Sequence, residues 1–171
     1  MNAIVCVNNM LGIGLNGSIP WKSKKDMQYF KEVTTGKGNN AVVMGLATFA
    51  SLNYRPLPNR KNVVITSCPD KIKTKSPDVL FETNIDNAKY LPFIYDEVYI
   101  IGGESIYKYF IPYYETIYLT HIDNNTICDR VFPLKDMTPY KKEEIDSINE
   151  NGVKLIFYKF KRESNNQYEM V

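Results

Sequence analysis

A chain of 171 residues, 44% hydrophobic and 23% charged, is long and apolar enough to bury one sizeable core in a single domain. A net charge of +2 gives no drive toward nucleic acid, and a single histidine with three cysteines lacking metal-ligand spacing argues against zinc or haem, so no metal is expected. No apolar run is long enough to span a membrane, and three cysteines that cannot all pair, with no signal peptide, point to a reducing, cytoplasmic setting.

Taken in order, Asn2 to Val7 is almost uniformly apolar, as a strand covered on both faces would be. A glycine-rich loop follows and stiffens at Pro20, beside the only tryptophan, Trp21. Lys24 to Thr35 then has helical spacing, which puts Asp26, Phe30 and Val33 or Thr34 on one face with Met27 beside them. A carboxylate on an apolar stripe is costly unless something pairs with it. Ser23 followed by Asp26 also fits a capping box, which gives Asp26 a purely structural alternative. Lys22, Lys24, Lys25 and Lys31 form a basic cluster, suited to an anionic small molecule or simply to the wet face of that helix.

Gly36 and Gly38 end the helix, Ala41 to Met44 is a second buried strand, and a short helix spans Leu46 to Leu52. Pro56-Leu57-Pro58 cannot be regular helix or central strand, and it leads through Asn59-Arg60-Lys61 into a strand from Asn62 to Ser67. After a polar linker, Asp78 to Glu82 is a weaker strand, and Asn84 caps a helix through Leu91 that Pro92 closes. Glu97 to Ile101 is a strong strand running into Gly102-Gly103, with a helix from Glu104 to Phe110. Thr116 to Ile122 is a further strand, and Asp129 to Pro133 is a loop anchored by Phe132. A hairpin turns at Asn151-Gly152, with Lys154 to Lys161 as its returning strand, and Ser164 onward is a polar tail. The expectation is one α/β domain over residues 1–163: three layers, a mostly parallel twisted sheet of about eight strands flanked by about four helices, and a C-terminal antiparallel hairpin.

Two glycine turns stand where strands meet helices. Gly102-Gly103 allows close backbone approach to a phosphate, and Gly45-Leu46-Ala47-Thr48 repeats the arrangement after another strand. Each alone is as often a plain tight turn; together they suit an extended anionic cofactor beyond the strand ends. Arg60, after the rigid proline segment, is placed to hold a carboxylate, although a surface role is its default. His121 has no nucleophile near it in sequence and is read as a strand residue.

The run from Gly12 through Trp21, with Asp26 to Lys31 after it, resembles the dihydrofolate reductase signature. Val43 to Phe49, Pro56 to Asn62, Ile101 to Tyr107 and Tyr118 to Ile122 resemble the same family, colinearly and over all but the tail, residues 164–171. The resemblance implies NADPH-dependent reduction of 7,8-dihydrofolate by a monomer that needs no nucleic acid or membrane. It implies that Asp26 faces the pterin ring, with Thr120 bonded to it and Trp21 holding a water nearby. Val5, Cys6, Met27, Phe30, Leu52, Leu57 and Ile101 would line the folate pocket, and Arg60 would take the α-carboxylate of the glutamate tail. Ile13 to Pro20, including Asn16, Gly17 and Ser18, would form the mobile loop over the nicotinamide. Gly45, Leu46, Ala47, Thr48, Thr66 and Ser67 would meet the cofactor's phosphates and adenosine. Gly102, Gly103, Glu104, Ser105 and Ile106 would wrap the pyrophosphate, and Tyr107 would sit by the nicotinamide ribose, with Cys6 and Ile101 also touching the cofactor.

The chain departs from the family pattern in two places. Leu46 and Ala47 stand where a basic residue is usual, and Glu104 stands where many relatives have Gly or Ser. Two rival readings remain: a deaminase-reductase of riboflavin synthesis, against which Asp26 and the Pro56 to Arg60 segment count, and a non-catalytic nucleotide-binding or structural protein on the same fold.

Overall fold

The computed structural model describes residues 1–164; the rest of the polar tail expected from Ser164 lies outside the described residues. Eight strands form one sheet, and its architecture is the expected α/β arrangement. In chain order they are β1 (Asn2–Val7), β3 (Ala41–Gly45), β4 (Lys61–Ile65), β5 (Val79–Glu82), β6 (Val98–Gly102), β7 (Thr116–Ile122), β9 (Tyr140–Glu150) and β10 (Val153–Arg162). Across the sheet they run β5-β4-β3-β6-β1-β7-β10-β9. All pairs from β5 to β7 are parallel, and β10 is antiparallel to both β7 and β9. Strand β6 is thus inserted between β1 and β3, and ligands in open sheets of this kind gather at the carboxyl ends where strand order reverses.

Three α-helices are described: α1 (Lys24–Thr35), α2 (Leu46–Ser51) and α3 (Glu104–Tyr109). Strand alternation divides the core. Ala3, Val5 and Val7 of β1 enter one cluster with Ile100, Ile117, Tyr107 and Phe132. Ile4 enters another, against which Phe30 and Val33 of α1 pack, so α1 covers the opposite face of the sheet from Val5.

Three local expectations are corrected. The segment expected as a helix from Asn84 to Leu91 is a 3-10 helix, Ile85–Phe93, with Pro92 inside it rather than closing it. Ile85, Ala88 and Leu91 pack on one core cluster three residues apart, a spacing that suits three residues per turn better than 3.6. The glycine loop contains a short strand, β2 (Gly12–Gly14), which pairs antiparallel with β8 (Arg130–Val131) inside the expected Asp129 to Pro133 loop. Neither half has a hydrophobic pattern of its own, because each exists only through its distant partner. Phe132 is nevertheless the buried anchor expected there.

Strand β9 is an edge. Its run Lys141-Lys142-Glu143-Glu144 is exposed, and such charges keep an open edge from recruiting another strand. Asn151 and Gly152 both take positive φ, 53° and 82°, as a two-residue hairpin turn demands.

Candidate active site

The first turn of α1 carries the central carboxylate. Ser23 is the N-cap, and its Oγ accepts the Asp26 backbone N–H at 3.0 Å, so the capping pattern is real. That leaves the Asp26 side chain free to point at the sheet, where it faces Cys6 of β1 and Thr120 of β7. These two are direct neighbours in the parallel register, which is why strands far apart in sequence present both to one helix residue. Burial pushes the Asp26 carboxyl above the ordinary carboxylate range; Thr120 and then Cys6 favour its charge, and Glu150 opposes it. Burial also pushes the Cys6 thiol well up, with the Asp26 charge adding and Trp21 opposing. Thr120 is buried, whereas Trp21 is half-buried beside Cys6 and Tyr29.

The expected pocket residues mostly converge. Phe30, Leu52, Leu57 and Ile101 are partly buried and pack against the same cluster on the α1 face. Met27 stands 68% exposed at its edge. Val5 lies on the other face, so only its backbone can line this side. Arg60 is 5% exposed, with Nε donating to the Pro58 carbonyl at 2.9 Å and Nη1 donating to Thr34 Oγ1 at 2.9 Å. Among the described residues the one ion pair is Lys89–Asp86, so Arg60 has no carboxylate partner there, and burial lowers its pKa.

Adjacent strands β3 and β6 lead into α2 and α3 through glycine N-caps, Gly45 at the end of β3 and Gly103 just after β6, and neither cap uses a side chain. The Gly102–Gly103 peptide bond is cis. A Cβ on Gly103 would meet only Thr48 Oγ1, at 3.9 Å, which leaves an open cradle between the two turns. One on Gly45 would come within 3.2 Å of the buried Ile106. Thr66 and Ser67 follow the end of β4. Thr66 is buried, its Oγ1 accepting the Cys68 N–H at 3.2 Å, and Ser67 is exposed. Leu46 packs against the core, Ala47 and Ser105 are exposed, and Glu104 is half-buried in the first turn of α3. The Tyr107 hydroxyl is buried and donates to the Ile4 carbonyl at 2.7 Å, and burial raises its pKa.

A model of the family described as dihydrofolate reductase matches residues 1–162. The chain belongs to the dihydrofolate reductase family. It is 36% identical to the dihydrofolate reductase of Schistosoma mansoni, covering 92% of this chain and 93% of that protein. It is likewise 36% identical to the dihydrofolate reductase of Buchnera aphidicola subsp. Acyrthosiphon pisum, over 83% and 84% of the two chains. With the dihydrofolate reductase of Heliothis virescens the identity is 37%, over 78% of each. Membership brings an enzyme's fold and a small-molecule substrate.

Several supporting residues of this family member escaped sequence reasoning. Asp129 accepts the Asn16 N–H at 3.0 Å and its own N–H donates to Gly14, which ties the half-buried Ile13 and the exposed Gly17-Ser18 turn to a distant segment. Thr34 braces Arg60, and Glu150 clamps the start of α1. For Thr34 the helical face was a usable signal; for Asp129 and Glu150 no local pattern exists. No helix among the described residues is long and apolar enough to cross a membrane.

Proposed function

We propose that the chain reduces 7,8-dihydrofolate to 5,6,7,8-tetrahydrofolate with NADPH. The observation that carries this is the half-buried Asp26 carboxyl facing Cys6 and Thr120, flanked by an apolar shelf and by an arginine that has no acidic partner among the described residues. A bound reduced nicotinamide dinucleotide supplies the hydride, from its C4 to pterin C6. Asp26 binds the pterin's amino group and N3 and biases its tautomer, and N5 receives its proton by way of water that Trp21 helps to hold. Phe30, Leu52, Leu57 and Ile101 exclude bulk water from the ring, and Arg60 takes the α-carboxylate of the glutamate tail in a bidentate contact. Cys6, Met27 and the Val5 backbone complete the wall.

The open cradle at Gly103 fits a pyrophosphate, since backbone N–H groups after Gly45 and Gly103 lack side-chain caps. Leu46, Ala47, Thr48, Thr66 and Ser67 hold the adenosine side, Glu104, Ser105 and Ile106 the pyrophosphate side. Tyr107 supports the ribose end from beneath through its bond to Ile4. Ile13, Asn16, Gly17 and Ser18 close over the nicotinamide. Leu46 packs on the core and offers no charge, so preference for NADPH over NADH comes from the Thr66 and Ser67 hydroxyls, backbone N–H groups, and Lys71 or Lys73 from the linker. The chain works as a monomer in a reducing compartment, a setting its three free thiols favour.

Absorbance of the reduced cofactor with and without dihydrofolate tests the proposal. Oxidation that requires dihydrofolate supports it; cofactor binding with no turnover makes the chain a non-catalytic nucleotide-binding protein instead.

A further inference from the structure

The first turn of α1 is held from a distance. Glu150, the last residue of β9, accepts Ser23 Oγ–H at 2.6 Å and the Lys24 backbone N–H at 3.0 Å. Ser23 Oγ in turn accepts the Asp26 N–H at 3.0 Å. A carboxylate at the start of a twelve-residue helix meets unpaired N–H groups and the positive end of the helix dipole, and as such is a clamp. Its sign matters beyond that, because the same helix start presents Asp26.

The bond from Ser23 holds Glu150 below the usual carboxylate range, with Lys24 and Lys25 N–H groups and the Lys25 charge adding. It is therefore ionised throughout the neutral range. Around Asp26 stand Thr120 from β7 and Cys6 from β1, Tyr29 on its own helix, and Tyr107 from α3. Burial pushes the Tyr29 phenol up to about 12 and Tyr107 higher, so both are neutral. Lys22 and Asp123 line, with Trp21 and Glu150, a cavity of about 130 Å³ on the outer side. Of the groups acting on Asp26, Glu150 is the one that brings a full negative charge.

We propose that Glu150 is a positioning residue for the reaction: from the distant hairpin it fixes the start of α1 and sets a second negative charge against the Asp26 carboxylate. This rests on the reading of Asp26 as the pterin-facing group. The charge favours the protonated carboxyl, and a cavity large enough for water keeps the effect modest and sensitive to salt.

Glu150→Gln keeps an acceptor for Ser23 and Lys24 but removes the charge; Glu150→Ala removes both. Two titrations are compared for each protein: the Asp26 carboxyl-carbon NMR shift without ligands, and single-turnover hydride transfer to dihydrofolate. In Glu150→Gln both midpoints move toward acid, and the Asp26 ionisation constant rises roughly two- to fivefold, the span of one part-screened charge. The Asp26 midpoint of the wild type also moves toward acid with added salt, a measurement that needs no variant. An NMR midpoint that stays put in Glu150→Gln, or moves only in Glu150→Ala, overturns the proposal and leaves a clamp alone. If the wild type transfers no hydride to dihydrofolate, the functional reading fails by itself, and the NMR titration still decides the coupling.

Discussion

Asp26 illustrates a residue kept where stability would not put it. Its carboxyl is raised above the ordinary range by burial, so the folded chain binds more protons there than the unfolded chain does. Stability therefore falls as pH rises from the unfolded carboxylate range through the folded value, and above that the full penalty is present. Asp26→Asn removes the penalty: its Tm exceeds that of the wild type at pH 7, and the two converge near pH 3, as calorimetry can show. A lower Tm for the variant at pH 7 contradicts this. Hydride transfer in the same variant drops by roughly 10²-fold or more, and the pH dependence that belongs to this carboxyl disappears. Arg60 is the complementary case, a buried cation braced by Pro58 and Thr34. Arg60→Leu weakens dihydrofolate by roughly 2–5 kcal/mol, the usual loss for a desolvated charge pair, while a dihydropterin without the glutamate tail binds nearly as before. Equal losses for both ligands in titration calorimetry mean that Arg60 serves the fold.

At the scale of elements, the turn from β6 into α3 separates folding from binding. Gly103 has ordinary negative φ as the N-cap of α3, and its added Cβ would touch only Thr48 Oγ1 at 3.9 Å. Gly103→Ala therefore keeps its Tm within a few degrees of the wild type, yet its methyl group occupies the cradle. Affinity for NADPH falls by at least about tenfold, or ~1.4 kcal/mol, measured by fluorescence titration. Unchanged affinity places the pyrophosphate elsewhere. The adjacent Gly102 contrasts with it: its φ is 121° and its Cβ would lie 3.2 Å from the Tyr107 ring, so backbone conformation and packing both require glycine there.

For the whole molecule, a site assembled from α1, β1, β7 and the ends of β3 and β6 exists only in the folded chain. Each ligand therefore stabilises it by mass action, about 2.7 kcal/mol at a hundredfold excess over Kd. In a chain of this size that raises Tm by roughly 5–11 °C per ligand. In Arg60→Leu the rise with dihydrofolate shrinks and the rise with NADPH does not; thermal shift assays with each ligand separately check both. A rise that shrinks equally for both ligands contradicts the separation of the two sites.

Much of this was fixed locally. The apolar run of β1, the spacing from Asp26 to Val33, and the Asn151-Gly152 turn each carry their own period or conformational demand, so sequence alone determined them. The parallel sheet followed from strands alternating with helices, and the glycines after β3 and β6 marked the turns where a phosphate could be approached. What only the tertiary structure decided lacks a local period. Strands β2 and β8 need each other across more than a hundred residues, and the 3-10 turns at Ile85–Phe93 answer to where Ala88 and Leu91 are buried. Val5 was expected in the pocket wall from the family resemblance, but which face α1 would cover was set by packing. The charge beside Asp26 comes from Glu150, 124 positions along the chain, because the hairpin folds back over the start of α1. Electrostatic neighbours are a property of distance in space, and a sequence orders residues only along the backbone.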